Sequence, residues 1–288
     1  MNEIGIRGMI DTYEEIGDYY NKSQGNILFG THLLEEEDMT EDELFNLKKV
    51  KDKYNTIMMT HCLENEWRSN IVKSKFGKSS IELYSERNLL DDKTILFHGV
   101  YMSEEDIELV AKHKSSVVHC PLSNLDTGAG VADVNAMLEN GVNVCLGTDY
   151  AHTNVWELMR LAYYLLKINN HVDKYSVEEI FRMMTINGAK AYKLQNDIGK
   201  IKDGYKADLV FIKKDDVDLE PLLNRESFST YLYNLLFYNK ADSIHHVMID
   251  GKWIMKDRKL ETLDEKKVVS RYNQIAEGFL NYLKEHNY

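Results

Sequence analysis

The chain has 288 residues, with 35 Lys and Arg against 47 Asp and Glu, so its formal net charge is −12. This acidic balance disfavours binding to nucleic acids or to anionic membranes, which recruit clusters of basic side chains. Hydrophobic residues make up 43% of the chain, enough for a real core, and no apolar run approaches the roughly 18 residues that span a bilayer. The three cysteines are odd in number and far apart, which favours a reducing, cytoplasmic location over a disulfide scaffold.

Short apolar runs in the first two thirds of the chain predict the buried strands of a parallel sheet. Helical patterns separate most of these runs, at intervals of roughly 20–35 residues, which is the rhythm of a βα barrel or of a doubly wound sheet. The predicted strands are Ile57–Thr60, Ile95–Phe97, Val117–His119 and Val142–Leu146, and further runs end near Ile10 and Phe29.

Capping signals mark where three of the intervening helices begin. A Ser or Thr followed three residues later by an acidic residue is typical of a capping box. The predicted pairs are Thr40 with Glu43, Ser103 with Asp106, and Ser176 with Glu179. After Ser176, the apolar side chains predict one helix that continues to Ala191.

The pattern changes near residue 196, so we predict a βα domain over residues 1–195 and a small β region with a terminal helix over residues 196–288. The turn Asp250-Gly251 predicts a hairpin, and the last helix is predicted from Asp264 to Leu283. The adjacent His245 and His246 lie in this β region. Their side chains are expected on opposite faces of a strand, which disfavours a shared metal.

Potential ligands and acid–base groups follow the predicted strands of the first domain. His61, His98 and Asp149 each follow one strand, and Glu64 lies three residues after His61. The carboxyl ends of parallel strands face one side of the sheet, so these side chains are expected to converge. Imidazole nitrogens with one carboxylate oxygen are a ligand set typical of catalytic zinc, and an unligated Glu nearby is suited to carrying protons. His119 lies inside a strand and is predicted to be a satisfied core residue.

Several segments of the chain resemble the amidohydrolase superfamily. They are Thr60–Glu64, Phe97–Gly99, His119–Leu125, Leu146–Asp149 and Ile198–Val210. The likeness is closest to the cytosine-deaminase-like branch, which includes chlorohydrolases, adenosylhomocysteine/methylthioadenosine deaminases and guanine deaminases. The resemblance implies an α/β fold, a (β/α)8 TIM-type barrel with a small β-sandwich. It also implies a metal-dependent hydrolase acting on C–N bonds other than peptide bonds, which deaminates a purine-, pyrimidine- or nucleoside-like ring.

The resemblance also implies a role for each residue of the predicted catalytic set. His61 and Asp149 would bind one divalent metal, zinc or iron, and Asp149 would take a proton from the attacking water. Glu64 would protonate the ring nitrogen of the substrate, while His98 would orient the water or the substrate. A metal that lowers the pKa of its water, together with two acid–base groups, is the arrangement that such a hydrolysis needs.

Substrate contacts are implied for His32, Glu64 and His98, and His152 is a further candidate on the loop after the last barrel strand. The loop Leu33–Asp38, which follows His32, departs from the usual pattern of the branch. We expect its acidic part, Glu35–Asp38, to be a solvated loop.

The H-x-H motif that supplies two metal ligands in this branch does not occur in the chain. Counting strands places Ile4–Ile10 at barrel strand 3, so the barrel is expected to be incomplete at its N-terminus, without strands 1 and 2, and the sandwich to be a remnant. Exposed strand edges would then favour a homo-oligomer or a complementing N-terminal segment. Three alternatives stay open at this point: a truncated non-catalytic remnant, one half of a split enzyme, and a triazine-type chloro- or aminohydrolase.

Overall fold

A computed structural model describes residues 12–20, 27–33, 35–150, 153–168, 173–213, 219–225 and 228–286. These residues form two compact units, one ending at Lys200 and the other beginning at Ile201. The predicted strand Ile4–Ile10 and the candidate His152 lie outside the described residues. No described helix has the length and hydropathy needed to cross a membrane.

The first unit alternates strands and helices along the chain. A helix over residues 12–20 (α1) is followed by β1 Gly30–Leu33, α2 Glu41–Tyr54, β2 Ile57–Cys62, α3 Glu66–Phe76, α4 Ser80–Glu86, β3 Thr94–His98, α5 Glu104–Lys112, β4 Ser116–His119, α6 Pro121–Asp126, α7 Val134–Glu139, β5 Asn143–Leu146, α8 Val155–Lys167, α9 Val177–Met184 and α10 Ile186–Ala191. The strands form one parallel sheet in the order β1-β2-β3-β4-β5. Because at least one helix links each pair of neighbouring strands, the predicted α/β class is confirmed.

The strands extend further than the apolar runs predicted. His61 and Cys62 pair with Phe97 and His98 as the last residues of β2 and β3, so both histidines lie within strands. Likewise, the run that was predicted to end at Phe29 precedes β1, which contains His32. The reason is that backbone pairing continues as long as the neighbouring strand supplies partners, whatever the polarity of the side chain.

One face of the sheet holds a buried cluster that includes Ile95, Val118 and Cys145, with the partly buried Met59 and Phe97 packed against it. The three cysteines of the chain are free and buried, where they act as small hydrophobic residues.

Two of the three predicted capping boxes form, those of Thr40 with Glu43 and of Ser103 with Asp106. Ser176 occupies the N-cap position of α9, but its side chain accepts no hydrogen bond there. The single helix predicted through Ala191 is interrupted, because Thr185 has φ −124° and ψ −80°, which is not helical.

The second unit contains β6 Leu209–Ile212, β7 Asn224–Arg225, β8 Phe228–Ser229, α11 Tyr231–Tyr238, β9 Ile244–Ile249, β10 Lys252–Lys256, β11 Lys259–Leu260 and α12 Glu265–Glu285. Strands β11, β10, β9 and β6 form one antiparallel sheet in that order. The β9–β10 hairpin and the terminal helix are therefore as predicted.

The prediction that His245 and His246 face opposite sides of a strand is wrong. Strand β9 pairs with β6 through Ile244 and His246, whose partners Ile212 and Phe211 are consecutive, so His245 is an extra residue in a β-bulge. A bulge changes the normal alternation of side chains. The two imidazole rings consequently stack, with centroids 4.6 Å apart and an interplanar angle of 13°.

Candidate active site

Three histidines meet at the carboxyl ends of neighbouring strands in the first unit. The ring centroid of His61 lies 5.7 Å from that of His32 and 5.5 Å from that of His98. The parallel register explains the meeting, since β1, β2 and β3 lie side by side and each carries its histidine within the last two residues. Phe97 packs edge-on against His61, with ring centroids 5.7 Å apart. The structure thus brings together three of the predicted site residues.

The backbone adopts the left-handed conformation at three residues of this region. Leu63, His98 and Asp149 have φ values of 48°, 72° and 55°. Residues other than glycine adopt such angles rarely, and such angles concentrate at functional sites. In a regular strand Phe97 and His98 would point to opposite faces. At His98 the backbone leaves the regular strand conformation, and the His98 ring stacks on the His61 ring with an interplanar angle of 21°.

Asp149 joins this group from the segment after β5. Its Oδ2 lies 4.0 Å from Nε2 of His98, which is too far for a direct hydrogen bond. The His98 side chain is buried at 2% exposure, whereas that of Asp149 is 23% exposed. The pair therefore faces solvent from one side only, as a site for a small molecule must.

Glu64 lies beside a guanidinium group. Nη1 of Arg68 is 3.5 Å from Oε2 of Glu64, Nε of Arg68 is 3.4 Å from Oε1 of Glu37, and Arg68 also pairs with Glu35. Arg68 was not predicted as a site residue, although its position four residues after Glu64 could have suggested the pair.

The thiol of Cys120 is buried near the site. Burial raises the pKa of Cys120 to about 12, and the charges of Asp149 and Glu64 add to that rise. Cys120 is therefore a neutral thiol beside the two carboxylates that were predicted to carry protons.

The prediction of a solvated acidic loop at Glu35–Asp38 is wrong for Glu36. This side chain is fully buried, and its carboxylate accepts hydrogen bonds from the Leu63 amide at 2.8 Å and from the Ser80 hydroxyl at 2.5 Å. Burial raises the pKa of Glu36. The loop is held against the β2 end because buried carboxylates need such donors.

Two consecutive residues of α6 contact the site, and the sequence pattern gave little sign of them. Ser123 donates its hydroxyl hydrogen to Oδ2 of Asp149 at 2.5 Å, and Oδ1 of Asn124 lies 2.8 Å from Nδ1 of His98. Both side chains are about 1% exposed. An Asn after a Pro turn more often caps the backbone than contacts a site. The signal that could have identified both residues is their position in the segment His119–Leu125, which resembles the family.

His119 is buried in the core, as predicted, but it is not satisfied by hydrogen bonds. Neither ring nitrogen has a partner among the described residues, and burial lowers the pKa of His119 to about 4, with a further contribution from His98. The side chain lines a cavity of about 590 Å³ together with Ala162, Leu166 and Met183.

The donor atoms at the strand ends fit a divalent metal in kind. His61 offers an imidazole nitrogen and Asp149 a carboxylate oxygen, which zinc and iron both accept. Within the described part of the chain, these two residues are not members of any group of three His, Cys, Asp or Glu whose ligand atoms all lie within 4.8 Å of one another. A metal held here would need further donors.

A different trio does bring three ligand atoms within 4.8 Å of one another, in the second unit: His245, His246 and Asp257. Nδ1 of His246 accepts a hydrogen bond from the Asp257 amide at 3.1 Å. The neutral ring must then carry its proton on Nε2, the atom that faces Asp257 Oδ1 at 3.8 Å. Since a protonated nitrogen cannot ligate a metal, this trio offers two ligand atoms instead of three.

Sequence comparisons place the chain among hydrolases. The model of the amidohydrolase family matches residues 10–254. The 5-methylthioadenosine/S-adenosylhomocysteine deaminase of Pyrococcus horikoshii is 38% identical over 234 residues, which is 78% of this chain and 54% of that protein. The 5'-deoxyadenosine deaminase of Methanopyrus kandleri is 31% identical over 300 residues, covering 96% of this chain and 67% of that protein. The chain spans about half the length of the Pyrococcus relative.

Solved structures agree on the fold. The crystal structure of an adenosine deaminase from Xanthomonas campestris with bound zinc matches with a TM-score of 0.87 at 23% identity, over 94% of this chain and 61% of that one. E. coli guanine deaminase matches with a TM-score of 0.73 at 23% identity, over 85% of this chain and 58% of that one. These likenesses confirm the predicted barrel-type α/β fold. Given the family match over most of its length, the chain belongs to the amidohydrolase family.

Proposed function

We propose that this chain carries the catalytic carboxylates of a metal-dependent aminohydrolase that removes the ring amino group of an adenine nucleoside. The observation that carries the proposal is the convergence of His61, His98 and Asp149 at the carboxyl ends of β2, β3 and β5 of one parallel sheet. The names of the relatives narrow the substrate class, because they are deaminases of 5-methylthioadenosine, S-adenosylhomocysteine and 5'-deoxyadenosine.

His61 and Asp149 would hold the metal, and we propose zinc, the metal present in the Xanthomonas structure. A bound divalent metal lowers the pKa of a water ligand towards neutrality. Asp149 suits this task because Ser123 hydrogen-bonds its Oδ2, and among the described residues no hydrogen bond occupies Oδ1, which would bind the metal. Hydrogen bonds to a ligating carboxylate fix its orientation.

Proton transfer would fall to the two carboxylates. Asp149 accepts the proton of the attacking water, and Glu64 delivers a proton to the ring nitrogen next to the carbon under attack. The water oxygen forms a bond to that carbon, and Asp149 passes its proton to the amino group. The C–N bond then breaks to release ammonia, and the remaining hydroxyl proton returns to Glu64 as the ring carbonyl forms. His98 is the last residue of β3 and its ring faces Asp149, and from there it orients the water or the substrate. His32 and the loop residue His152 are proposed substrate contacts.

The proposal is tested by ammonia release from 5'-deoxyadenosine with the zinc-loaded chain. Glu64→Gln keeps the shape of the side chain but removes the acid, so turnover should fall by at least about 100-fold while zinc content stays the same. Glu66→Gln, at an exposed position two residues later, is the matched control and should change neither. Turnover that survives Glu64→Gln would contradict the role of Glu64.

Because the chain spans about half of the Pyrococcus relative, the assay is repeated with the amino-terminal segment of that relative added as a separate polypeptide. Turnover that appears only on mixing would make the chain one part of a split site. An absence of turnover under both conditions, with zinc bound at His61, would contradict the proposed activity for this chain.

A further inference from the structure

We propose that the first turn of α6 presets two side chains of the site, with Asn124 fixing the ring tautomer of His98 and Ser123 fixing the carboxylate of Asp149. The catalytic meaning of this inference rests on the proposed function. The geometry that it describes does not, and it can be tested separately.

The hydrogen bond between Asn124 and His98 determines which nitrogen of the ring carries the proton. Oδ1 of Asn124 lies 2.8 Å from Nδ1 of His98, and a carbonyl oxygen can only accept. Nδ1 therefore donates, and the neutral ring presents Nε2 as a bare acceptor. That atom faces Oδ2 of Asp149 at 4.0 Å, so His98 would enter the reaction as a hydrogen-bond acceptor.

The bond between Ser123 and Asp149 determines which carboxylate oxygen is available. The Ser123 hydroxyl donates to Oδ2 of Asp149, and a hydrogen bond to an ionised carboxylate is stronger than one between neutral groups. Asp149 also has a left-handed backbone, with φ 55°. Its side chain is thus oriented from two directions, and Oδ1 is left for a metal or a proton.

The topology explains why one short helix reaches both partners. Strand β4 lies between β3 and β5 in the sheet, and α6 begins at Pro121, two residues after β4 ends at His119. A helix that leaves the middle strand can direct one side chain to each neighbouring strand end. The main-chain carbonyl of Asn124 also accepts the Ala129 amide at 2.8 Å, which anchors this turn to the following loop.

The side-chain amide of Asn124 could in principle lie in two orientations, and they predict opposite tautomers. In the observed one Nδ2 has no partner among the described residues, although the side chain is 1% exposed. The reverse orientation would present an N–H group to Nδ1 of His98 and would force the ring proton onto Nε2. The tautomer of His98 is therefore the quantity to measure.

The test is a long-range proton–nitrogen NMR correlation of the histidine rings in the full-length chain, uniformly labelled with ¹⁵N, at about pH 8, where neutral rings predominate. His98 is assigned by the loss of its signals in His98→Gln. We expect the pattern of a protonated Nδ1 and a bare Nε2. The pattern of a protonated Nε2 in the unsubstituted chain would overturn the inference.

Two substitutions at Asn124 separate positioning from packing. Asn124→Leu keeps the approximate size but removes the acceptor, and His98 should shift towards the Nε2–H form. Asn124→Asp retains an acceptor oxygen and should keep the Nδ1–H form. Asn140→Leu, at an exposed C-cap, is the matched control and should leave His98 unchanged. An unchanged tautomer in Asn124→Leu would overturn the inference, and if that variant fails to fold, loss of the Nδ1–H form in Asn124→Asp would do so.

Activity and metal binding provide a second readout. Removing a hydrogen-bond partner of a catalytic or metal-binding group typically lowers activity or metal affinity by about 10–100-fold. Asn124→Leu should therefore lower kcat by that factor, with a smaller change in KM. Ser123→Ala should weaken zinc binding by a similar factor. Suppose that the tautomer shifts as expected, but neither the unsubstituted chain nor any variant turns over substrate. The proposed function then fails, and the positioning by α6 stands. If turnover is present and is insensitive to Asn124→Leu, the positioning role fails.

Discussion

Two pairs of histidines are stacked in the part of the chain that the structure describes, and they differ in what holds their ring nitrogens. His61 and His98 come from neighbouring strands of the first unit, with centroids 5.5 Å apart. His245 and His246 are adjacent on one bulged strand of the second unit, 4.6 Å apart. In the first pair, a buried side chain from another element sets the proton of His98. In the second pair, a backbone amide at an exposed turn sets that of His246.

This difference shows that proximity of ligand-type residues does not make a metal site. The second pair, with Asp257, satisfies a distance criterion for three ligands, yet one of its nitrogens already serves the backbone. The first pair has fewer donors within reach, but Asn124 leaves Nε2 of His98 without a proton, and Ser123 takes Oδ2 of Asp149 rather than Oδ1. Hydrogen-bond partners decide which atoms remain available for chemistry.

The largest expected effect is on zinc affinity, which should depend on the first pair of histidines and not on the second. His61→Ala removes a proposed ligand, and we expect zinc affinity to fall by more than about 100-fold, beyond what outer partners typically contribute. The matched control is the double variant His245→Ala/His246→Ala, which should leave the affinity and the zinc content unchanged. Competition titration with a chelator measures both. The comparison breaks down if the double variant loses zinc and His61→Ala does not.

A second prediction concerns His119, whose ring nitrogens have no hydrogen-bond partner in the described segments of the chain. Its pKa of about 4 in the folded chain, against an ordinary value of 6.5, means that the unfolded chain takes up a proton first as the pH falls. The free energy of unfolding should therefore decrease between pH 6.5 and pH 4, by up to about 3 kcal/mol. Above pH 6.5 both states are neutral at this residue, and it contributes no pH dependence.

Urea unfolding of the His119→Gln variant, measured at about pH 7 and pH 4.5, checks this expectation. The variant should lose most of the extra decrease that the unsubstituted chain shows between the two pH values. His113→Gln, a partly exposed residue that hydrogen-bonds Ser85, should retain it. Equal pH dependence in His119→Gln and in the unsubstituted chain would rule out a neutral buried His119 as the cause.

The sequence was informative where chemistry depends on the ends of parallel strands. His32, His61, His98 and Asp149 could be placed together because parallel strands in register end at one edge, and the family-like segments told these residues apart from ordinary polar ones. The barrel-type fold followed from the same segments and from the alternation of strands and helices.

Features that depend on backbone detail or on distant pairs could not be predicted. A left-handed φ at His98 carries no sequence signal when the residue is not glycine. The bulge at His245 follows from a register shift against β6, and register is a property of two strands. The bond from Asn124 to His98 joins residues 26 positions apart, and Glu36 is buried only because Leu63 and Ser80 supply its donors. Each outcome required the assembled fold.

The smallest expected effect concerns Asp257, the counterpart of Asp149 in the second pair. Its carboxylate is 66% exposed and lies 3.8 Å from both rings, and exposed pairs of this kind contribute little because water screens them. Asp257→Asn keeps the backbone amide that holds His246, so the free energy of unfolding should change by less than about 0.5 kcal/mol. Zinc affinity should not change at all.

Asp149→Asn, which removes a proposed ligand at the strand ends, should lower that affinity strongly in the same titration. A loss of zinc in Asp257→Asn would show that the bulge releases His246 for metal binding, and the distinction between the two pairs would then fail.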